Sequence, residues 1–222
     1  MCGRFSLTKT LDDLASFFEL YEQAQRPNLA PRWNIAPTQA SAVVRSEGGR
    51  RDVALLRWGF AGPNNAPLIN ARSETAATKP TFRDAFTQRR CLIPADSFYE
   101  WQAIEGQKTK QPWRIGLKGG ALFAFAGLWQ HEAVFGTECF TILTTVANDY
   151  LNPLHERMPV ILKRDQFALW LDPASSEREL HGMLKPYPAD ETARYRVTSV
   201  VNGVKVDSPE CFAPLNPALK TA

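Results

Sequence analysis

The chain has 222 residues, 44% of them hydrophobic, and 26 Lys and Arg against 23 Asp and Glu give a formal net charge of +3. That length and apolar content suffice for one domain with a sizeable core. The slight positive excess permits a nucleic-acid partner while excluding a histone-like concentration of charge. The longest apolar stretch, Ala121 to Trp129, falls far short of the roughly 20 residues that a membrane-spanning helix needs. A soluble, cytoplasmic monomer without membrane contact is expected.

The start of the chain is polar and basic, so no secretory leader is expected. The four cysteines, Cys2, Cys91, Cys139 and Cys211, stand far apart, so free thiols in a reducing compartment are expected. Thr10 to Gln23 places Leu11, Leu14, Ala15, Phe18 and Tyr21 on one face, with Thr10 and Asp13 as a capping box, which predicts an amphipathic helix. Residues 26 to 38 carry Pro27, Pro31 and Pro37 and read as an ordered irregular segment.

Short β-rich runs follow at Ser41 to Arg45, Val53 to Phe60, Cys91 to Trp101, Pro112 to Leu117, Ala121 to Trp129 and Glu138 to Val146. Gly48-Gly49 and Gly119-Gly120 sit where hairpin turns belong. Helices are expected at Pro80 to Arg89, Asp165 to Leu171 and Ser175 to Leu184, a last strand at Arg194 to Val201, and an irregular tail over 213–222. The sum is a single α+β domain over residues 1–222, built on a curved, barrel-like, mostly antiparallel sheet flanked by helices.

Cys2 is the first candidate for chemistry. A small residue after Met1 favours removal of the initiator, leaving a cysteine with a free α-amine. An α-amine of pKa about 7.7 to 8.0 and a thiol near 8.5 give two nucleophiles on one residue near neutrality. An aldehyde can take both: the amine gives an imine, and the thiol closes a five-membered thiazolidine. The same residue also suits N-terminal nucleophile hydrolysis, or is merely a small residue at a frayed end. Gly3 permits close backbone approach beside it, and Arg4 supplies a phosphate or carboxylate clamp.

Three further clusters are polar. Glu100, between aromatics in Ser97-Phe98-Tyr99-Glu100-Trp101, reads either as a general acid/base or as an edge-strand carboxylate facing water. His155 lies in the proline-bracketed run Asn152 to Pro159, a setting for a catalytic loop histidine or a structural one. Asn70 and Arg72, in Leu68 to Thr75, could orient an amine or sugar hydroxyl and hold a phosphate. They equally suit a helix cap and an ion pair with Glu74. The helical zinc signature fails because Pro159 stands where a second histidine is needed. No other Cys or His pair has ligand spacing, so neither metal nor cofactor is expected.

Seven blocks in order resemble the SOS response-associated peptidase-like (SRAP) family: Met1 to Phe5, Trp33 to Pro37, Arg57 to Phe60, Leu68 to Thr75, Arg90 to Asp96, Phe98 to Trp101 and His155 to Leu162. The resemblance implies a mixed α+β, barrel-like fold with a basic cleft for single-stranded DNA. It implies a thiazolidine cross-link between Cys2 and the ring-opened sugar of an abasic site. By the same likeness Asn70 positions the cysteine amine and sugar, Glu100 serves ring opening and proton transfer, and His155 protonates or stabilises the sugar oxygen. Arg4, Arg72 and Arg157 resemble phosphate contacts, Thr144 matches a position near the site, and Pro37 and Trp58 are candidate stacking platforms, Trp58 reading alternatively as core. Self-removal of Met1 and a slow lyase or reversal activity through Glu100 are compatible with it. One departure is the loop Ala61 to Pro67, which lacks the tryptophan pair that some bacterial members carry. The competing readings are a cysteine peptidase using Cys2, His155 and Glu100, and a single-strand-binding module whose cysteine is incidental.

Overall fold

The computed structural model describes residues 2–21 and 27–216. In chain order its strands are β1 (Phe5–Leu7), β2 (Arg32–Ile35), β3 (Ala40–Glu47), β4 (Arg50–Trp58), β5 (Asn70–Arg72), β6 (Arg90–Ala95), β7 (Ser97–Gln102), β8 (Gln111–Leu117), β9 (Phe123–Glu132), β10 (Thr137–Val146), β11 (Arg157–Pro159), β12 (Ile161–Leu162) and β13 (Thr192–Arg196). The α-helices are α1 (Leu11–Phe18), α2 (Ser73–Ala76), α3 (Pro80–Gln88), α4 (Phe167–Leu171) and α5 (Glu177–Met183).

Two sheets result. The smaller is antiparallel, in the order β13-β8-β7-β1-β2. In the larger, β10 pairs with both β4 and β9, so β10, β4, β3, β6 and β9 form a closed ring. The expected barrel-like curvature takes this form. β5 and β11 attach to β10, and β12 attaches to β9. Among the described residues, only the pairings of β10 with β4 and β5 are parallel.

Local chemistry explains where the elements start and stop. The Thr10 side chain accepts from the Asp13 amide at 3.2 Å while Asp13 accepts from the Thr10 amide at 2.8 Å, the reciprocal cap that the sequence predicts. The helix ends earlier than expected, because Glu19 adopts a left-handed conformation and Tyr21 N bonds Arg51 O at 2.8 Å. The rest of the expected helix, residues 22 and 23, lies outside the described residues, as does the tail beyond Asn216. Gly48 and Gly49, both at positive φ, turn β3 into β4 as expected. Gly119-Gly120 does not make a hairpin: the strands on either side of it, β8 and β9, belong to different sheets. The single run expected over Cys91 to Trp101 is two strands, because the chain passes from the ring to the smaller sheet at Asp96. The last expected strand stops at Arg196 and continues as a 3-10 turn over Ser199–Asn202.

The core lies between the sheets. Phe5 and Phe98 come from the smaller sheet, Trp58, Phe125 and Phe140 from the ring. Phe5 meets Trp58 edge-on at 5.0 Å and Phe125 at 5.9 Å, Phe98 meets Phe125 at 6.0 Å, and Trp58 stacks on Phe140 at 6.1 Å. Trp58 is fully buried, and its indole N–H donates to Ile69 O at 2.9 Å. It is therefore core, and the stacking-platform expectation for this residue is overturned. Gly59 follows at φ +112°, where a Cβ would lie 2.7 Å from Pro67 Cβ, so the turn after Trp58 requires glycine.

One buried cation joins the helices to the ring. Arg90 donates to Phe86 O and Thr87 O in the last turn of α3, and to Trp170 O and Asp172 O at the end of α4, over 2.5–2.7 Å. It satisfies the carbonyls that two helix ends leave open. Arg90→Met leaves these acceptors unpaired and is expected to cost roughly 3 kcal/mol, a Tm drop on the order of 10 °C. Thermal unfolding checks this, and an unchanged Tm contradicts it.

Candidate functional site

The N-terminal strand is pinned from both ends of its short length. Phe5 pairs with Phe98 and with Ile35, so β1 is held between β7 and β2. Beyond it the buried Asp96 carboxylate accepts from Ser6 Oγ, and from Thr8 N and Thr8 Oγ1 at 2.6 Å each. Cys2, three residues before Phe5, is thereby fixed against the core and is fully buried. Its thiol donates to Arg4 O at 3.6 Å. Burial pushes the thiol pKa well above its ordinary value, and the nearby Glu100 charge pushes it further the same way. In the chain that still carries Met1, Cys2 is thus held as a protonated thiol.

Asn70 opens β5, which runs alongside β10 with Asn70 opposite Ile142. Its amide Nδ2 donates to Cys2 O at 2.9 Å, while Oδ1 is buried and accepts no hydrogen bond. An acceptor therefore stands ready beside the N-terminal residue. Glu100 lies on β7 and is only 6% exposed, which removes the reading of it as a water-facing edge carboxylate. Cys2, Asn70 and Glu100 therefore form one locus, drawn from the segment before β1 and from strands β5 and β7.

The expected phosphate contacts divide. β10 carries Thr144 between Arg72 of β5 and Pro159 of β11. Arg157, at the start of β11, donates through Nη1 and Nη2 to both carboxylate oxygens of Glu74 at 2.5 and 2.8 Å, and through Nη2 to Thr144 O at 2.6 Å and Thr144 Oγ1 at 3.4 Å. The ion pair expected for Arg72 with Glu74 is made by Arg157 instead. Arg72 is exposed and has no ion pair among the described residues. His155 sits in the loop from β10 to β11, half-buried, with Nδ1 accepting from Arg157 N at 2.9 Å. That bond requires a bare Nδ1, so the proton of the neutral ring is on Nε2 and the free edge of the ring is a donor.

Arg4 turns away from this group. Nη1 donates to Asn34 Oδ1 at 2.8 Å and Val201 O at 3.0 Å, Nη2 donates to Asn202 O at 3.5 Å, and the guanidinium lies 5.8 Å from the Trp101 ring centre. Pro37 is half-buried in the turn from β2 to β3, where Thr38 N bonds Trp58 O at 2.9 Å. The sequence reading passed over the residues that hold these pieces in place. Asn34, fully buried, donates to Val201 O, Gly203 O and Val206 O at 2.7–3.2 Å, and Asp207 accepts from the Trp33 and Asn34 amides at 2.5 and 3.0 Å. The signal for Asn34 was an amide set between the apolar Trp33 and Ile35, which must find partners if buried; Asp207 carried none, since its partners lie 173 residues away or more.

All four cysteines are free, no group of three His, Cys, Asp or Glu among the described residues is placed to hold a metal, and no helix among them is long and apolar enough to cross a membrane. The model of a family described as SOS response associated peptidase (SRAP) matches residues 1–204. The chain is 40% identical over 220 residues to the abasic site processing protein YoaM of Bacillus subtilis (strain 168), covering 95% of this chain and 96% of YoaM. It is 29% identical over 226 residues to the abasic site processing protein YedK of Escherichia coli (strain K12), covering 97% of this chain and all of YedK. A crystal structure of a Bacteroides thetaiotaomicron protein superposes with a TM-score of 0.81 at 21% identity, over 95% of this chain and 98% of that one, a likeness of fold.

Proposed function

Because the chain belongs to the SOS response associated peptidase (SRAP) family, we propose that it processes abasic sites in single-stranded DNA by bonding them covalently to Cys2 once Met1 is removed. The observation that carries this reading is the Asn70 amide on Cys2: its Nδ2 holds the Cys2 carbonyl, and the Oδ1 of the same side chain is a buried acceptor without a partner, available to an amine at that residue.

The chemistry divides among the residues as follows. The abasic sugar is closed and must first open. Glu100 takes the proton from its anomeric hydroxyl as the bond between C1′ and the ring oxygen breaks and passes it to that oxygen, which the Nε2–H edge of His155 stabilises by donating a hydrogen bond. The products are a C1′ aldehyde and a free sugar hydroxyl. The Cys2 amine, oriented by Asn70, bonds to C1′, and the aldehyde oxygen leaves as water to give an imine. The Cys2 sulfur then bonds to the same carbon, its proton passing to nitrogen by way of Glu100, which closes the thiazolidine. One water is released in all. Arg72 and Arg157 face the strand's phosphates, with Thr144 fixing Arg157. A donor edge on His155 fits a hydrogen bond to a sugar oxygen and is the wrong state for a base toward sulfur, which weighs against the peptidase arrangement.

The test is a denaturing gel of purified protein with single-stranded oligonucleotides that contain or lack one abasic position. A denaturation-resistant band is expected only with the lesion, and is expected to vanish in Cys2→Ala. A band that survives Cys2→Ala, or forms equally without the lesion, contradicts the proposal.

A further inference from the structure

Glu100 stands at one end of a row that crosses the smaller sheet. It lies opposite Trp113 in the pairing of β7 with β8, and Trp113 lies opposite Arg196 in the pairing of β8 with β13. Opposed residues share a face, so the row runs from the Cys2 locus to the edge strand β13. The Trp113 indole N–H donates to Gln102 Oε1 at 3.0 Å, which holds the ring on that face. The guanidinium groups of Arg194 and Arg196 lie 5.1 and 5.2 Å from its centre, and Arg194 also lies 4.4 Å from the ring centre of Tyr150. Tyr150 belongs to the same loop as His155. That loop is tied to the start of β13 by Asn148 Nδ2, which donates to Tyr187 O at 2.7 Å and to Thr192 Oγ1 at 3.5 Å. The stacked cluster therefore bridges the strand that carries Glu100 and the loop that carries His155.

Beside it opens a pocket of about 460 Å³, lined by Trp113, Arg194, Tyr195, Arg196 and residues 214–216. The size falls in the range of roughly 300–1,000 Å³ usual for small-ligand sites. Its charge is one-sided: the lining holds two guanidinium groups and no carboxylate, and neither arginine has an ion pair among the described residues. Arg194 Nη1 is buried and makes no hydrogen bond. Arg196 is exposed and Arg194 is half-buried against the two rings, and the planar donor edges of such guanidinium groups match a phosphate. Stacked aromatic and guanidinium planes also take nucleobases without regard to sequence.

From these features we infer that the cluster is a subsite for a nucleotide neighbouring the reacting position on the same single strand. Its phosphate is held by Arg194 and Arg196, and its base lies on the stack of Arg196 and Trp113. The subsite guides the strand past Glu100, so that the abasic sugar stops between Glu100 and His155. This rests on the single-strand reading proposed above, and the experiment separates the two.

Binding of Met1-processed protein to lesion-free single strands is measured against salt, for wild type, Arg194→Gln with Arg196→Gln, Trp113→Ala, Trp113→Phe, and Arg83→Gln as a distant charge control. The double variant is expected to bind about tenfold more weakly, with the magnitude of the salt slope falling by roughly 0.7 for each phosphate no longer neutralised. Trp113→Ala is expected to lose about five- to tenfold and Trp113→Phe to keep most of the affinity, while Arg83→Gln stays within about twofold. Adduct formation is then followed at subsaturating DNA with the lesion central, at the 5′ end or at the 3′ end. The double variant's penalty is expected with the central lesion and with one end placement, and to disappear when the nucleotide on the subsite side is missing.

An unchanged salt slope, or an equal penalty at both ends, overturns the inference. So does a slower adduct at saturating DNA with unchanged affinity, since that would make the cluster a support for Glu100. If wild type forms no adduct but the variants lose affinity and slope, the subsite stands and the covalent reading fails. If wild type forms the adduct and every variant binds as wild type, the covalent reading stands and the subsite fails.

Discussion

A chain whose N-terminus stays blocked is expected to form essentially no cross-link, at least about 10³-fold less than the processed chain. The reason is that the amine step brings C1′ and the thiol into one molecule. Ring closure then proceeds at the high effective concentration of an intramolecular reaction. With Met1 present, Cys2 nitrogen is an amide, no imine forms, and the thiol alone gives at most a reversible hemithioacetal. The structure adds a second barrier, since Cys2 with Met1 present is fully buried and its thiol is pushed toward the protonated form. Comparing an uncut N-terminal fusion with the same fusion cut to expose Cys2 isolates this effect without changing any side chain. Equal adduct yields from the two would remove the amine from the chemistry.

The second large effect is expected at Glu100. Glu100→Gln keeps the shape of the side chain but cannot exchange a proton, so sugar opening and ring closure are expected to slow by about 10²–10⁴-fold. Noncovalent affinity for single-stranded DNA is expected to stay within about twofold, because the carboxylate is buried at the Cys2 locus. Rates measured at saturating DNA separate the two quantities. A variant that reacts normally, or one that fails at binding and not at reaction, would recast Glu100 as a structural residue.

The sequence carried the long elements well and the short ones badly. Strands β3, β4, β9 and β10 are eight to ten residues long and announce themselves by β-branched and aromatic content. Of the strands that build the site, β1, β5 and β11 have only three residues each. Runs that short have no period to detect, and they exist because longer strands offer them an edge. β2 was hidden in a similar way, between prolines that mark irregular backbone. The turn at Asp96 was invisible because its cause, the Ser6 and Thr8 donors, lies about 90 residues earlier.

At the site, the residue types were legible and their partners were not. Cys2, Asn70 and Glu100 could be named from position and neighbours, but only the fold shows Asn70 bonded to the Cys2 carbonyl. Arginine roles were the least legible. Arg4 and Arg157 both spend donors inside the protein, on Asn34 and on Glu74 with Thr144, whereas Arg72 does not. A guanidinium reads as a phosphate contact in any sequence, and only its partners say how much of it is left for one.

The most direct test of the central claim is the intact mass of the adduct formed between the processed protein and an abasic oligonucleotide. The expected mass is that of the chain lacking Met1 plus the oligonucleotide, less one water, with tandem fragmentation placing the bond on Cys2. The adduct should also resist borohydride, since a thiazolidine has no imine left to reduce. A species that retains Met1, or a bond mapped to a lysine, would contradict the account.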